Sequence, residues 1–366
     1  ASKAPAEAPF RTVTNFSSAV RCMDSMFITF GIRDVSVLLE DLDDQTKKVS
    51  VGTKDMMLTT TSTMTRRSRA IRFIAFGGDS RNAASFMDRA ESKTAYANMP
   101  QFGLRGSISQ FDDNVAKASK DVGVGLGDFL TFGKSATATS KIVAIDLTIM
   151  NLADFSIVPG VSSRNGVAIF GEGQGTDGEA RYSKFGINYA ASLSKSEGTA
   201  VAVRNLIELA AVELLGKLTK VPYWKCLGLN TADDDVKGEV EDWFETMSGN
   251  RAELFAWWQY QMYLRGAYTG ELNGTVNAEF AKGLRDYKAA MGLKPDTDLN
   301  AEFMLIYLEA DHTAAMARYE AMKPKPVAAN KPITAAIRLK GGDRKLRTGE
   351  KMEFEVTADA AGHAHC

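Results

Sequence analysis

The chain has 366 residues, 45% of them hydrophobic and 24% charged, which is ordinary globular usage and room for two or three domains. Its 44 basic and 45 acidic residues nearly cancel, so a broad electrostatic footprint for nucleic acid is excluded. The longest apolar runs fall well short of the roughly 18–20 residues of a membrane-spanning helix, so any insertion has to use strands. The opening Ala1-Ser-Lys-Ala-Pro-Ala-Glu-Ala-Pro9 reads as an extended leader, with processed residues expected upstream. Residues 17–31 predict an amphipathic helix, since Ala19, Met23, Met26, Phe27 and Phe30 recur near helical spacing after two serines. A short apolar strand is expected at Val35–Leu39, and the threonine-rich stretch 53–67 reads as a helix. Arg66, Arg67, Arg69 and Arg72 form a basic cluster, read as a solvated face or a subunit contact. Ala70–Phe76 alternates as a strand does, and Phe102–Ser109 begins another.

The stretch from Asp121 to Ser196 predicts two hairpins. In the first, about residues 117–140, Val122, Val124 and Leu126 alternate with glycine, and the alternation resumes with Leu130 and Phe132. The second, about residues 166–195, runs from Gly166 through Val167 and Ile169 to a Gly175-Thr-Asp-Gly178 turn, then along one strand from Ala180 to Ser192 with Phe185, Ile187 and Tyr189 on one face. Small residues on one face and apolar ones on the other suit a strand between lipid and water, although a soluble half-buried sheet alternates in the same way. Between the hairpins Val143, Ile145, Leu147 and Ile149 are expected to face a core. Gly127 to Ser135 imitates a phosphate loop, but the spacing would need a glycine at Asp128.

Val203, Leu206, Ile207, Ala210, Leu214 and Leu218 predict an apolar stripe on a helix over 199–219. Thr231-Ala-Asp-Asp-Asp-Val reads as a helix start, whose positive dipole end favours carboxylates, rather than as a metal site. His312, His363 and His365 all lie late in the chain, which removes most histidine-dependent catalysis from what precedes them. Cys22, Cys226 and Cys366 are too few for a disulfide framework, and a Cys22–Cys226 bridge is one option in an oxidising compartment. A Pro- and Lys-containing linker at 321–332 leads to two strand-like runs, Ile333–Leu339 and Lys351–Thr357, read as the start of a β domain over 333–366. The closing His363-Ala-His365-Cys366 reads as a strand end, and no catalytic residue, metal or cofactor is assigned.

Asn15-Phe16-Ser17-Ser18-Ala19-Val20 resembles the Asn-Phe-Ser-Thr-Ala-Val segment of the curli secretion channel family (CsgG/HfaB), where the pore-constricting loop enters the first helix. Gly106-Ser-Ile-Ser-Gln-Phe-Asp, Lys141–Met150 and the helix ending Pro222-Tyr-Trp224 follow in the family's order, so the resemblance spans roughly residues 10–226. It implies a lipoprotein ring of about nine identical subunits, each adding two hairpins to one large β-barrel above a periplasmic vestibule. Through such a ring unfolded fibre or adhesin subunits cross the bacterial outer membrane without ATP, with an accessory cap or plug protein as a further partner. Carried over, Arg11, Asn15 and Phe16 would sit at the narrow ring, with Arg11 where the family has tyrosine. A ring of arginines favours acidic or carbonyl-rich passengers and disfavours cations. The family's first strand is not evident before Arg11, and either truncation or replacement by Ala70–Phe76 is expected.

Residues 230–320 change character. Tyr268-Thr-Gly-Glu-Leu-Asn273-Gly274, Phe280 to Tyr287, and Met291-Gly-Leu-Lys-Pro-Asp296 resemble the peptidoglycan-binding three-helix module, which would put Tyr268, Asn273 and Tyr287 against the cell wall. A docking module that uses the same aromatics as core is the competing reading. The expected fold is thus α+β: a mixed α/β periplasmic domain over 1–229 with two transmembrane hairpins that oligomerise into a barrel, a helical module over 230–320, and a partial β domain. The functional expectation is a non-enzymatic homo-oligomeric secretion pore in contact with outer-membrane lipid. A non-conducting ring that anchors a surface appendage or holdfast is the alternative. A soluble periplasmic wall-binding enzyme accessory is a third, separable by whether extraction needs detergent.

Overall fold

Alternating apolar residues through the middle of the chain produce one long ladder of strands. The computed structural model describes residues 10–12, 16–49, 52–77, 99–113, 139–171, 178–184, 187–193, 198–323, 335–339 and 354–358. Among these, β1 (Phe10–Thr12), β2 (Val35–Leu39), β3 (Asp43–Asp44), β4 (Ile71–Ala75), β5 (Phe102–Asp113), β6 (Thr139–Asn151), β7 (Ile157–Gly171), β8 (Gly178–Lys184) and β9 (Ile187–Leu193) form a nine-stranded sheet. Its order is β1-β9-β8-β7-β6-β5-β2-β4, with β3 beside β5. The β1/β9, β2/β4, β2/β5 and β3/β5 pairs are parallel, and the run from β5 to β9 is antiparallel. The sheet is therefore mixed and the fold is α+β.

Val143, Ile145, Leu147 and Ile149 of β6 are all buried, as the alternation predicts. In β5 a bulge between Ile108 and Gln110 sets Phe111, rather than Gln110, opposite Val143. The extra residue keeps an aromatic on the core face where an uninterrupted period of two would have turned a glutamine inward. On β7 the odd-numbered residues Val161, Ser163, Asn165, Val167 and Ile169 share that face and are buried. This corrects the membrane-facing expectation for Val167 and Ile169, which are core residues in this chain. The register that pairs Val167 with Val143 turns them toward the helix layer.

The expected single strand from Ala180 to Ser192 is also corrected. It is two strands, β8 and β9, which pair antiparallel from Gly178 with Leu193 to Lys184 with Ile187. A two-residue connection that contains a glycine is what a tight hairpin calls for, and the sequence between the strands is Phe185-Gly186. Ile187 and Tyr189 therefore lie on β9, and Phe185 falls outside the described residues. Val122, Val124, Leu126, Leu130 and Phe132 of the first hairpin fall outside them as well.

Three helices cover the core face. These are α1 (Ser17–Thr29), α2 (Thr53–Met64) and α3 (Gly198–Thr219), the first and last within two residues of expectation at each end. α3 carries more than a stripe, because every residue from Leu206 to Gly216 is buried. Ser163 Oγ and Asn165 Nδ2 of β7 donate to Glu213 Oε2 at 2.7 and 2.8 Å, and Lys217 Nζ donates to Glu213 Oε1 at 2.8 Å. A carboxylate buried this deeply is tolerated only with such a full set of partners.

A short 3-10 turn at Tyr223–Leu227 leads into α4 (Asp234–Ser248), α5 (Arg251–Leu264), α6 (Ala278–Ala290), α7 (Ala301–Glu309) and α8 (His312–Met322). Side chains of Asn277, Asn300 and Asp311 accept bonds from the exposed N–H groups at the starts of α6, α7 and α8. Asp234 and Asp235 occupy the first turn of α4, in keeping with the helix start read from the acidic run. The hydrophobic core is continuous from Phe16 to Tyr319, so the helical module shares it with the sheet domain. β10 (Ala335–Leu339) and β11 (Phe354–Ala358) pair with each other in an antiparallel ladder. Among the described residues, no helix is long and apolar enough to cross a membrane.

Cys22 on α1 and Cys226 on the 3-10 turn form a disulfide with Cα atoms 5.5 Å apart and 204 positions between them in sequence. Closing so long a loop restricts the unfolded chain by about 5 kcal/mol on a chain-entropy account. A Cys22→Ser, Cys226→Ser double variant is expected to lose several kcal/mol in urea denaturation. A reducing agent should lower the midpoint of the parent chain and leave that of the variant unchanged.

Candidate functional site: the segment before the first helix and the contacts that hold it

The segment expected at a pore constriction enters the fold through β1. Arg11 pairs with Tyr189 in the parallel β1/β9 ladder at one edge of the sheet. A short strand thus contains Arg11 itself. β4 over Ile71–Ala75 is an additional strand at the other edge. Asn15 falls outside the described residues.

Phe16 precedes the first turn of α1, and its side chain is only 3% exposed. This corrects its assignment to an open ring, because in this chain the phenyl group belongs to the core. Its backbone N–H donates to Glu208 Oε2 on α3 at 3.1 Å. Burial raises the Glu208 carboxyl above its ordinary value, and the Phe16 N–H and the charge of Arg204 offset only part of that rise. The contact ties the start of α1 to the most buried helix of the domain, across 192 positions of sequence.

Three further contacts hold α1. Asp24 accepts from the Ser68 N–H at 2.9 Å and from Arg67 Nε at 3.0 Å. Burial alone would raise the Asp24 carboxyl, but the bonds from Ser68 and Arg67 bring it below the ordinary value. The disulfide fixes the helix near its middle. At the C-terminal end the Thr29 carbonyl accepts from Arg265 Nη1 at 2.9 Å, and the Gly31 carbonyl accepts from Tyr260 Oη at 2.5 Å. Cations and donors there satisfy the carbonyls that a helix end leaves unpaired.

Arg265 also reaches into the helical module. Its Nε donates to Tyr307 Oη at 3.0 Å, and its guanidinium lies over the Phe30 ring at 5.6 Å. Tyr307 in turn donates to Gln261 Oε1 at 3.0 Å. Tyr287 Oη lies 3.0 Å from His312 Nδ1, and the His312 ring meets Phe30 edge-on at 5.6 Å. Burial, with the charges of Arg265 and Lys225, lowers the His312 imidazole to about 3. Burial lifts the Tyr287 hydroxyl to about 12, partly offset by Arg265 and Arg318.

The wall-binding expectation for Tyr268 and Tyr287 is corrected here, since they are 1% and 0% exposed. Their hydroxyls are engaged internally, Tyr268 Oη donating to the Glu271 carbonyl at 2.8 Å. Asn273 is exposed, and its Oδ1 accepts from the Thr275 N–H at 2.9 Å in a local turn. Gly274 follows at φ 72°, where an added Cβ would run into the Ala252 carbonyl, so glycine is required. What the module turns outward instead is a cleft of about 550 Å³ that includes Met291, Leu305 and Ile306 among its lining, with Glu302 and Arg318 among its polar groups. Sequence reading missed Glu208, Arg265 and this cleft. The only available signal was a charged residue set among apolar neighbours, which looks the same on a solvated helix face.

No family model matches the chain, and no curated protein matches it. Among solved structures, a Xanthomonas campestris protein of family DUF330 is similar at 9% identity and a TM-score of 0.23, over 53% of this chain and 85% of that one. A likeness at that level carries no argument.

His312 supplies a test of the seam between α1 and the module. Its imidazole stays neutral in the fold well below the ordinary value of 6.5, so stability is complete above that pH and falls as the unfolded chain takes up the proton. The expected loss is up to ~1.4 kcal/mol per pH unit below that value. Urea midpoints between pH 7 and about 4.5, above the range where most carboxylates titrate, should fall more steeply for the parent chain than for His312→Gln. Equal slopes would place the acid sensitivity elsewhere.

Proposed function

We propose that the chain is a non-enzymatic subunit of an oligomeric outer-membrane pore that passes unfolded fibre or adhesin subunits to the cell surface without ATP. The observation that carries this reading is the pairing of Asp113 with Lys141 at the far ends of β5 and β6. The chain before and after the segment read as the first membrane hairpin thus lies on adjacent strands of one antiparallel pair. The intervening residues 114–138 are numerous enough for two crossing strands, which need about 9–11 residues each, and a turn. Their glycine alternation suits a wall between lipid and water. An isolated hairpin would leave unpaired peptide groups in lipid at several kcal/mol each, so insertion requires a closed ring of copies. The order of parts shared with the curli secretion channel family supports the same reading, and the formed disulfide suits an oxidising periplasm.

The second hairpin adds no support. β8 and β9 are seven residues each, shorter than the about 9–11 needed to span, and Val167 and Ile169 are core. The burial of Phe16 favours a second reading, a non-conducting ring that anchors a surface appendage to envelope and wall, because a gate side chain held in the core does not line a channel.

Detergent-purified particles in planar bilayers separate the two. A pore conducts, and Arg11→Ala is expected to shift its selectivity toward cations, since a ring of arginines repels them. Phe16→Ala is expected to act through folding, at about 3–5 kcal/mol for a buried phenylalanine. Intact rings that pass no current would favour the anchor, and a monomer released by mild lysis without detergent would sink both.

A further inference from the structure

Apart from Arg67, which holds Asp24, the basic cluster around Arg66 is not used by anything described above. Arg21, Arg66, Arg67 and Arg69 are exposed, and Arg33 and Arg72 are exposed beside them. The fold brings these segments together. Arg67 Nη2 donates to Ser25 Oγ at 2.7 Å, and Ser25 lies one helical turn beyond Arg21 on α1. The Val35 N–H donates to the Ala70 carbonyl at 2.9 Å, which sets the segment carrying Arg33 beside Arg69. The carboxylate of Asp24 is buried and already engaged by Arg67 and Ser68, and among the described residues Arg21, Arg33, Arg66, Arg69 and Arg72 have no ion-pair partner. Every cation of the patch is arginine, the side chain suited to paired bonds with carboxylates.

A complementary surface exists on the same chain. On α4 the buried residues Val236, Val240, Trp243 and Met247 form one stripe. At about 100° per residue, Asp234, Asp235, Glu241, Asp242 and Glu245 fall on a single arc opposite it, and all five are exposed. Lys237 engages Asp234 at 2.8 Å, and among the described residues the other four have no ion-pair partner. Two surfaces of opposite sign on one chain, with most of their charges lacking an ion-pair partner among the described residues, are the ingredients of a head-to-tail contact, which closes into a ring when the rotation permits.

We propose that the arginine patch of one subunit docks the acidic face of α4 on the next copy. The proposal rests on the ring reading for its setting and concerns which surfaces join the subunits. Its test is charge reversal read by light scattering and by electron images of detergent-purified particles. Arg21→Glu with Arg66→Glu, or Glu241→Arg with Glu245→Arg, should each weaken association by about tenfold or more, and salt should weaken the parent assembly. A chain that carries all four substitutions should reassemble, which a folding defect would not allow. Rings that persist in both one-sided variants, or a fourfold variant that stays dissociated, would overturn the proposal and leave the ring reading intact. Loss of binding to a poly-glutamate peptide with no change in assembly would assign the patch to an acidic polypeptide instead and also overturn it. A parent chain that is monomeric in every detergent would end the ring reading itself.

Discussion

Helix α3 is apolar on nearly every side, so it has to be covered on every side, and the remaining architecture is arranged around that demand. The β6 and β7 faces cover one flank, α1 and α2 cover another, and the 3-10 turn after Pro222 closes its end. Two carboxylates accompany the helix into the interior, and each finds a different solution. Glu213 is satisfied by β7 and Lys217, which locks the helix to the sheet. Glu208 accepts from the backbone of Phe16, which fastens the chain's entry into α1. An unsatisfied buried carboxylate would be too costly to keep, so these contacts are conditions of the fold rather than additions to it.

From that anchor α1 becomes the link between regions that are remote in sequence. Its start is held by Glu208, its middle by Asp24 and the Cys22–Cys226 bridge, and its end by Arg265 and Tyr260 of the helical module. The module is therefore packed on the sheet domain through the Phe30, Tyr307 and His312 rings and shares its core. Packed contacts thus run from the helical module through α1 to Phe16.

Local periodicity was a good guide wherever one face of an element is buried and the other wet. Val35–Leu39 is β2 without a shift of boundary, α1 begins at Ser17 as read, and Val143 through Ile149 alternate into the core as expected. The same rule misled at Val167 and Ile169, and the likeness to a wall-binding module misled at Tyr268 and Tyr287. An alternating apolar face looks identical whether it meets lipid, a sugar polymer or another helix, and only the partner across the interface distinguishes them. The strand from Ala180 to Ser192 was misread because alternation continues across Phe185-Gly186, so the reversal there left no break in the pattern.

What the sequence determined by itself was the set of local elements and their chemistry: the amphipathic helices, the alternating strands, the arginine cluster and the acidic helix start after Thr231. Tertiary structure decided which faces met. It buried Phe16 and the two tyrosines, joined Cys22 to Cys226, placed Arg11 beside Tyr189 and left the arginines and the α4 carboxylates uncovered on the chain's surface. The division has one physical cause: periodicity and capping act over a few residues and are written in neighbouring letters, whereas burial is settled by contacts between residues hundreds of positions apart.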